Sequence, residues 1–297
     1  MSYTLVQSVE QRLNLRTYGG TIEDVKSLKP STLDIPLEEL RRRFNEDGVL
    51  WVKGLISRDL INKCRRDYLE FVNQGSGMLK PGTDPEEGIF SGNDWRNLIL
   101  PGGTRLALGL EDEGPFVENA SKSHVAPFYL DFKDKIAKQM EAFVGKLFVP
   151  GAESTPVHYD QIFLRAGPPT GVTAWVPIGD IEKDGGGLMY LDHSHDIGKK
   201  YEEDFTRLNM ELSDEERQFG KNWGRDWLVG EYEAGDVVFH NPYMIHAGPI
   251  NESSKGRIRV STDLRFVDKS KPSDERWTFP AFSESDPNLA RKLKPSA

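Results

Sequence analysis

From residue 150 onward the chain breaks into short β-like runs separated by turn residues: "PVHYDQIFLRA", "GVTAWVPIGDI", "GGLMYLDHS", "EYEAGDVVFHNP" and "RIRVSTDLRFV". Repeated strands without intervening βαβ spacing do not build a parallel sheet, so the segment must close antiparallel strands into a sandwich or barrel. One stretch interrupts them, "GKKYEEDFTRLNMELSDEERQFGKNWGRDWLVG", helix-prone around a capping box from Ser213 to Glu216. Residues 198–229 are therefore read as an insert, either a lid over a pocket or a long crossover. Its Trp223 and Trp227 are either packing or the aromatic walls of a substrate site.

Upstream the pattern is helical. Leu37, Leu40 and Phe44 share a helical face, "NEDG" closes that helix, and "VLWV" reads as a short strand. A second helix follows with Ser57 as its N-cap and Leu60, Ile61, Cys64, Tyr68 and Phe71 as its buried stripe, which makes Cys64 a core residue. Gly75 to Gly114 reads as irregular loops with short strands. From Pro127 another helix presents Tyr129, Phe132, Ile136, Met140, Phe143 and Leu147 on one face and backs a sheet. The 297 residues are read as a single domain, residues 1–297, with a helical N-terminal support over about 31–150 and a β half over about 151–268.

Charge and cysteine usage narrow the function. Forty-seven acidic against 38 basic residues, with no basic stripe, speak against nucleic acid as a partner. The single cysteine permits no intrachain disulfide, the opening residues lack the apolar core of a signal peptide, and no run reaches the ~18 apolar residues of a membrane span. A cytoplasmic protein without a membrane partner is the expectation, acting on a small molecule and open to forming a homodimer.

Six histidines are available to carry chemistry. On a regular strand His158 and Asp160 face the same side and offer an imidazole and a carboxylate together. A metal grip needs a third ligand, for which His124, His193, His195, His240 and His246 are the candidates. His246 follows the apolar strand Val237 to Phe239 through a Pro-containing turn that can aim it back at the pocket, and Arg257 stands eleven residues beyond it. Two histidines and one carboxylate make the facial set of non-heme Fe(II) oxygenases, and a guanidinium suits the far carboxylate of a 2-oxo diacid.

These segments together resemble the phytanoyl-CoA dioxygenase-like family of Fe(II)/2-oxoglutarate-dependent oxygenases. The resemblance runs from about Leu37 to Val267, through "FNEDGVLWVKGLISRDLINKCR", "HYD", "TAWVPIGDIEKDGGGLMYLDHSH" and "GDVVFHNPYMIHAGPINESSKGRIRVS" in order. It implies a mostly β fold with flanking helices around a double-stranded β-helix of the jelly-roll or cupin-like kind. It also implies His158, Asp160 and His246 as the catalytic metal ligands, with Fe(II), 2-oxoglutarate and O₂ as cofactor and cosubstrates. Arg257 is the implied anchor of the 2-oxoglutarate C5 carboxylate, with Arg259 its rival on the same strand face, and Thr173 and Trp175 match cosubstrate-pocket positions. The expected reaction is hydroxylation of a small organic molecule in natural-product biosynthesis with release of succinate and CO₂; desaturation, epoxidation or rearrangement are variants of the same chemistry. The carboxylate of Asp160 disfavours halogenation, since halogenating members carry a small residue there.

Plainer readings stand beside these. His193 and His195 in "LDHSHD" fall at a turn, and His240 reads as a strand-end residue satisfied by backbone. A cupin-like metal enzyme that does not use 2-oxoglutarate, or a catalytically silent barrel acting as a binding protein, would fit the same strand pattern.

Overall fold

The larger of two sheets sorts its side chains by strand alternation, and that sorting builds both the core and the site. In the computed structural model, residues 13–17, 20–98, 109–110, 114–144, 148–150, 157–165, 167–206, 216–267, 270–272 and 274 are described. In chain order the elements are β1 (Leu13–Thr17), β2 (Gly20–Ser27), β3 (Pro30–Ser31), α1 (Leu37–Asp47), β4 (Val49–Val52), α2 (Arg58–Asn73), α3 (Pro115–Ser123), α4 (Pro127–Val144) and β5 (Phe148–Pro150). Then come β6 (Val172–Pro177), β7 (Met189–Leu191), α5 (His195–Lys200), α6 (Glu202–Thr206), α7 (Glu216–Trp223), β8 (Trp227–Val229), β9 (Val237–His240), β10 (His246–Ala247) and β11 (Ser261–Phe266). The strands form a larger sheet in the order β3-β4-β9-β6-β11-β5 and a smaller one in the order β1-β2-β8-β7-β10. Apart from β3 with β4 and β2 with β8, the paired strands are antiparallel, as a jelly roll requires.

Directly paired residues on neighbouring strands face the same side of a sheet. One row of the larger sheet, Leu50, Phe239, Ala174 and Leu264, is apolar throughout. It packs against Leu40 of α1, Ile61 and Cys64 of α2, and Phe132, Ile136 and Met140 of α4. The adjacent rows point the other way, into the space between the sheets: Val49, His240, Thr173 and Arg265, then Trp51, Val238, Trp175 and Asp263. The helices thus cover the outside of this sheet, while its inner face carries the polar residues.

Local chemistry sets the helix ends. Glu38 and Glu39 fill the first turn of α1, where negative charge suits the helix dipole. Gly48 ends it with φ 73° and donates its N–H to Phe44 O, the left-handed stop that "NEDG" promises. Ser57 occupies the N-cap of α2, but its side chain makes no capping bond. The stripe of α2 is also rotated from the expected one: Ile61, Cys64, Arg65, Leu69 and Val72 are buried. The reason is a second contact, because Leu69 and Val72 pack against Phe116, Val117 and Ala120 of α3. Arg65 is carried inside with them and donates to the carbonyls of Glu86, Glu87, Ile178 and Ile258 at 2.7–3.1 Å.

The segment before α1 is woven into the strands: β1 and β2 form a hairpin whose second strand joins β8, and β4 lies inside the larger sheet. The described helices of the 198–229 insert lie on the outer face of the smaller sheet, where Phe205, Phe219 and Trp227 join Tyr159, Met189, Leu191 and Ile245 in one cluster. Trp223 meets Tyr201 there at a tilt of 54°, with ring centroids 5.0 Å apart, so both tryptophans are packing. The Ser213 capping position and the Phe143 and Leu147 side chains lie outside the described residues. Among the described residues no helix is long and apolar enough to cross a membrane.

Cys64 is 4% exposed, and burial pushes its thiol pKa up. A chromogenic disulfide reagent should therefore leave the folded protein unmodified and titrate one thiol per chain in guanidinium, since the chain has a single cysteine. Rapid labelling under native conditions would contradict the core packing of α2.

Candidate metal centre

His158, Asp160 and His246 come together because three backbone segments are pinned to one another. His158 donates its N–H to His246 O at 3.1 Å, and His246 returns the bond to His158 O at 2.9 Å. Tyr159 is extended, with φ −135° and ψ 151°, which keeps His158 and Asp160 on one face and sends the Tyr159 ring to the opposite side. A 3₁₀ turn over Asp160–Ile162 then ends the extended run, and Gln161 N–H donates to Pro242 O at 2.9 Å. After β9 the chain reverses on Asn241, whose side-chain oxygen accepts from Tyr243 N–H at 2.9 Å, and re-enters as β10 with His246 paired to Tyr190. The Pro-containing turn thus aims His246 back as its sequence suggests.

One ligand atom from each of the three side chains lies within 4.8 Å of the others. All three residues are buried, at 5%, 2% and 3% exposure. Two imidazoles and a carboxylate suit a first-row divalent ion such as Fe(II). Their protonation states suit it too. His246 donates Nδ1–H to Met244 O at 2.8 Å, which leaves Nε2 with its lone pair facing Asp160 Oδ1 at 3.9 Å. Burial and the neighbouring rings of His158 and His240 hold the His246 pKa well below its ordinary value. Burial alone would raise Asp160, but Arg265, His240 and His246 outweigh it and keep the carboxyl well below the usual range. A neutral imidazole beside an ionised carboxylate is the state that metal binding needs.

Asp160 is held by three strands of the larger sheet. Its Oδ2 accepts a short hydrogen bond from Thr173 Oγ1 and another from His240 Nε2 at 3.1 Å; its Oδ1 accepts from Arg265 at 3.3 Å. His240 Nδ1 lies 3.3 Å from the Tyr190 hydroxyl. His240 is therefore satisfied by side chains, unlike the backbone-satisfied strand end read from the sequence. Strand alternation was the missed signal, since Val237 and Phe239 face the helices and Val238 and His240 face inward. The same parity places Asp263 and Arg265 inside, against Trp175 and Thr173.

The two arginines part company. Arg259 sits over the Trp175 ring, 5.9 Å from its centroid, and its buried Nε has no hydrogen-bond partner. Burial pulls its pKa below the usual value, while Asp263, Tyr190 and Tyr232 push it back. Asp263 has a buried Oδ1 without a partner and is raised to about 6, first by burial and against the pull of Arg265. Arg257 instead lines a polar cavity of about 460 Å³ with Arg58, Arg66, Asp84 and Asp180, and the structure does not bring it to the triad. Its segment precedes β11 and is drawn onto the loop before it: Arg257 bridges to Ile89, and Ile258 N–H donates to Gly88 O at 2.7 Å. Of the other histidines, His193 meets Glu46 O at 2.9 Å, His195 packs at Gly48, and His124 lies beside Tyr129, all apart from the triad.

A model of the phytanoyl-CoA dioxygenase (PhyH) family matches residues 44–259. The 1-deoxypentalenic acid 11-beta-hydroxylase of Streptomyces arenae is 25% identical over 252 residues, 77% of this chain and 80% of that protein. Among solved structures, the non-heme alpha ketoglutarate dependent carbocyclase SnoK from nogalamycin biosynthesis aligns at 19% identity over 90% of this chain and 95% of its own, with a TM-score of 0.47. The epimerase SnoN from the same biosynthesis aligns at 19% identity over 78% of this chain and 82% of its own, with a TM-score of 0.39.

The depressed His246 pKa has a measurable sign. Below the ordinary value of 6.5 the unfolded chain takes up a proton that folded His246 refuses, so the metal-free protein loses stability as pH falls. Half-buried His195 shifts the same way, and Asp263, raised to about 6, opposes both. Comparison with His246→Gln isolates the term: between about pH 6.5 and 5 wild type should lose up to about 1.4 kcal/mol per pH unit more than the variant, measured by urea unfolding. Parallel pH dependences would mean that His246 titrates normally.

Proposed function

Because the chain belongs to the phytanoyl-CoA dioxygenase family, we propose that it hydroxylates a small organic molecule in natural-product metabolism, with release of succinate and CO₂. It is a non-heme Fe(II)/2-oxoglutarate-dependent dioxygenase, with O₂ as the second cosubstrate. The observation that carries the reading is the buried triad of two imidazoles and one ionised carboxylate, with an arginine of unsatisfied Nε on the same interior. Hydroxylation is carried over from the Streptomyces arenae relative, which is named for that reaction on 1-deoxypentalenic acid.

In this reading His158, Asp160 and His246 hold the iron. Bound Fe(II) supplies O₂ activation coupled to oxidative decarboxylation of 2-oxoglutarate. Arg259, rather than Arg257, pairs with the distal carboxylate of the cosubstrate, because its guanidinium lies on the Trp175 face inside the sandwich. Trp175 forms the wall beneath that arginine, and Thr173 acts on the site through its bond to Asp160. Val49, Trp51, Val238 and Met244 make the surrounding interior apolar, which excludes water and strengthens the charge pairing.

An anaerobic titration with Fe(II) and then 2-oxoglutarate tests the assignment through the visible charge-transfer band of the chelate. Wild type should show the band and His158→Ala should not. Arg259→Ala should keep iron but bind 2-oxoglutarate about 10–100-fold more weakly, the loss expected for charge-assisted hydrogen bonds. Arg257→Ala should match wild type; the reverse pattern would return the anchor to Arg257. Tight iron binding without a band would favour a metal enzyme that does not use 2-oxoglutarate, and no iron binding would favour a silent barrel.

A further inference from the structure

We infer that His240, backed by Tyr190, is a positioning residue that leaves Asp160 a single oxygen to offer a metal ion. The inference rests on the proposed ligand set. Asp160 Oδ2 receives two donors, Thr173 Oγ1 and His240 Nε2. Two donors saturate the two lone pairs of one carboxylate oxygen. Oδ1 is the oxygen on the ligand side, 3.9 Å from His246 Nε2, with Arg265 at 3.3 Å.

The clamp is built into the sheets. Thr173 on β6 and His240 on β9 are directly paired across the larger sheet, so one cross-strand pair supplies both donors. Tyr190, paired with His246 in the smaller sheet, reaches His240 Nδ1 across the gap. A carboxylate oxygen can only accept, so His240 Nε2 carries the proton that faces Asp160, and its Nδ1 is held by the Tyr190 hydroxyl at 3.3 Å. His240, at 1% exposure, has no solvent route to another partner.

A carboxylate can bind an ion through one oxygen or two. With Oδ2 engaged, Asp160 would offer a bound metal one oxygen beside the two imidazoles. Removing the His240 donor frees Oδ2 to take a further position, in competition with the chelating 2-oxoglutarate. The expected signature is therefore a split: cosubstrate binding suffers and metal binding does not.

The experiment measures Mn(II) affinity by calorimetry and then 2-oxoglutarate affinity on the anaerobic Fe(II) protein, with circular dichroism of each metal-free variant. His240→Leu should bind Mn(II) within about threefold of wild type but 2-oxoglutarate about tenfold more weakly, the lower end of what partners behind a metal ligand contribute. His240→Gln, whose amide N–H reaches about as far as the imidazole Nε2–H, should restore most of the affinity. Tyr190→Phe should shift it in the same direction as His240→Leu by a smaller factor. Equal losses of metal and cosubstrate in folded His240→Leu and His240→Gln would overturn the inference and make His240 a ligand or a plain structural support. Unchanged 2-oxoglutarate binding in His240→Leu would also overturn it, while failure of wild type to bind metal would remove the ligand assignment beneath it.

Discussion

An ionised carboxylate at 2% exposure must find its partners inside the protein, and the placement of Thr173, His240 and Arg265 follows from meeting that demand at Asp160. Desolvating a charge costs several kcal/mol unless it is hydrogen-bonded and paired. The sandwich supplies Thr173 from β6, His240 from β9 and Arg265 from β11, three neighbouring strands of one sheet. Their convergence depends on register. A one-residue slip of β9 or β11 would turn His240 or Arg265 toward the helices and bring Phe239 or Leu264 inside. The helices matter to the site for the same reason, because the apolar row packed on α1, α2 and α4 is what holds that register.

The clustering of His158, Asp160 and His246 was legible because its signal is local: His-x-Asp on an extended segment, then a histidine after a strand and a Pro turn. The jelly-roll class was legible from turn-separated strands of the second half. Strands β1 and β2 were not, since most of their residues are exposed and they are completed only by β8, some two hundred residues away in sequence. His240 was misread because "DVVFH" looks like one apolar run; its two faces become distinct only when β4 and β6 flank it. The stripe of α2 was misplaced because a helix wedged between a sheet and another helix buries more than one face, and that second neighbour leaves no trace in its own periodicity.

The arginine pair shows how spacing and conformation diverge. Arg257 and Arg259 would share a face on a regular strand, but β11 starts only at Ser261. Gly256 at φ 65° and the bridge to Ile89 precede it, so the intervening residues follow the 80–90 loop and not the strand parity. Arg65 strengthens this detour by donating to carbonyls on both sides, those of Glu86 and Glu87 of the loop and of Ile258 between the two arginines. A buried residue of α2 thereby fixes which arginine reaches the interior.

Charge balance then orders the assembly of the site. The interior holds two carboxylates, Asp160 and Asp263, and two guanidiniums, Arg259 and Arg265, so it is close to neutral above the Asp263 pKa of about 6. A dianionic cosubstrate entering alone would face both carboxylates in an apolar surround where charges are poorly screened. A divalent cation at the proposed triad would offset that penalty, since the pair adds no net charge. The orphaned Nε of Arg259 is a buried donor of that interior without a partner. Metal first and cosubstrate second is thus the order that the buried charges themselves favour.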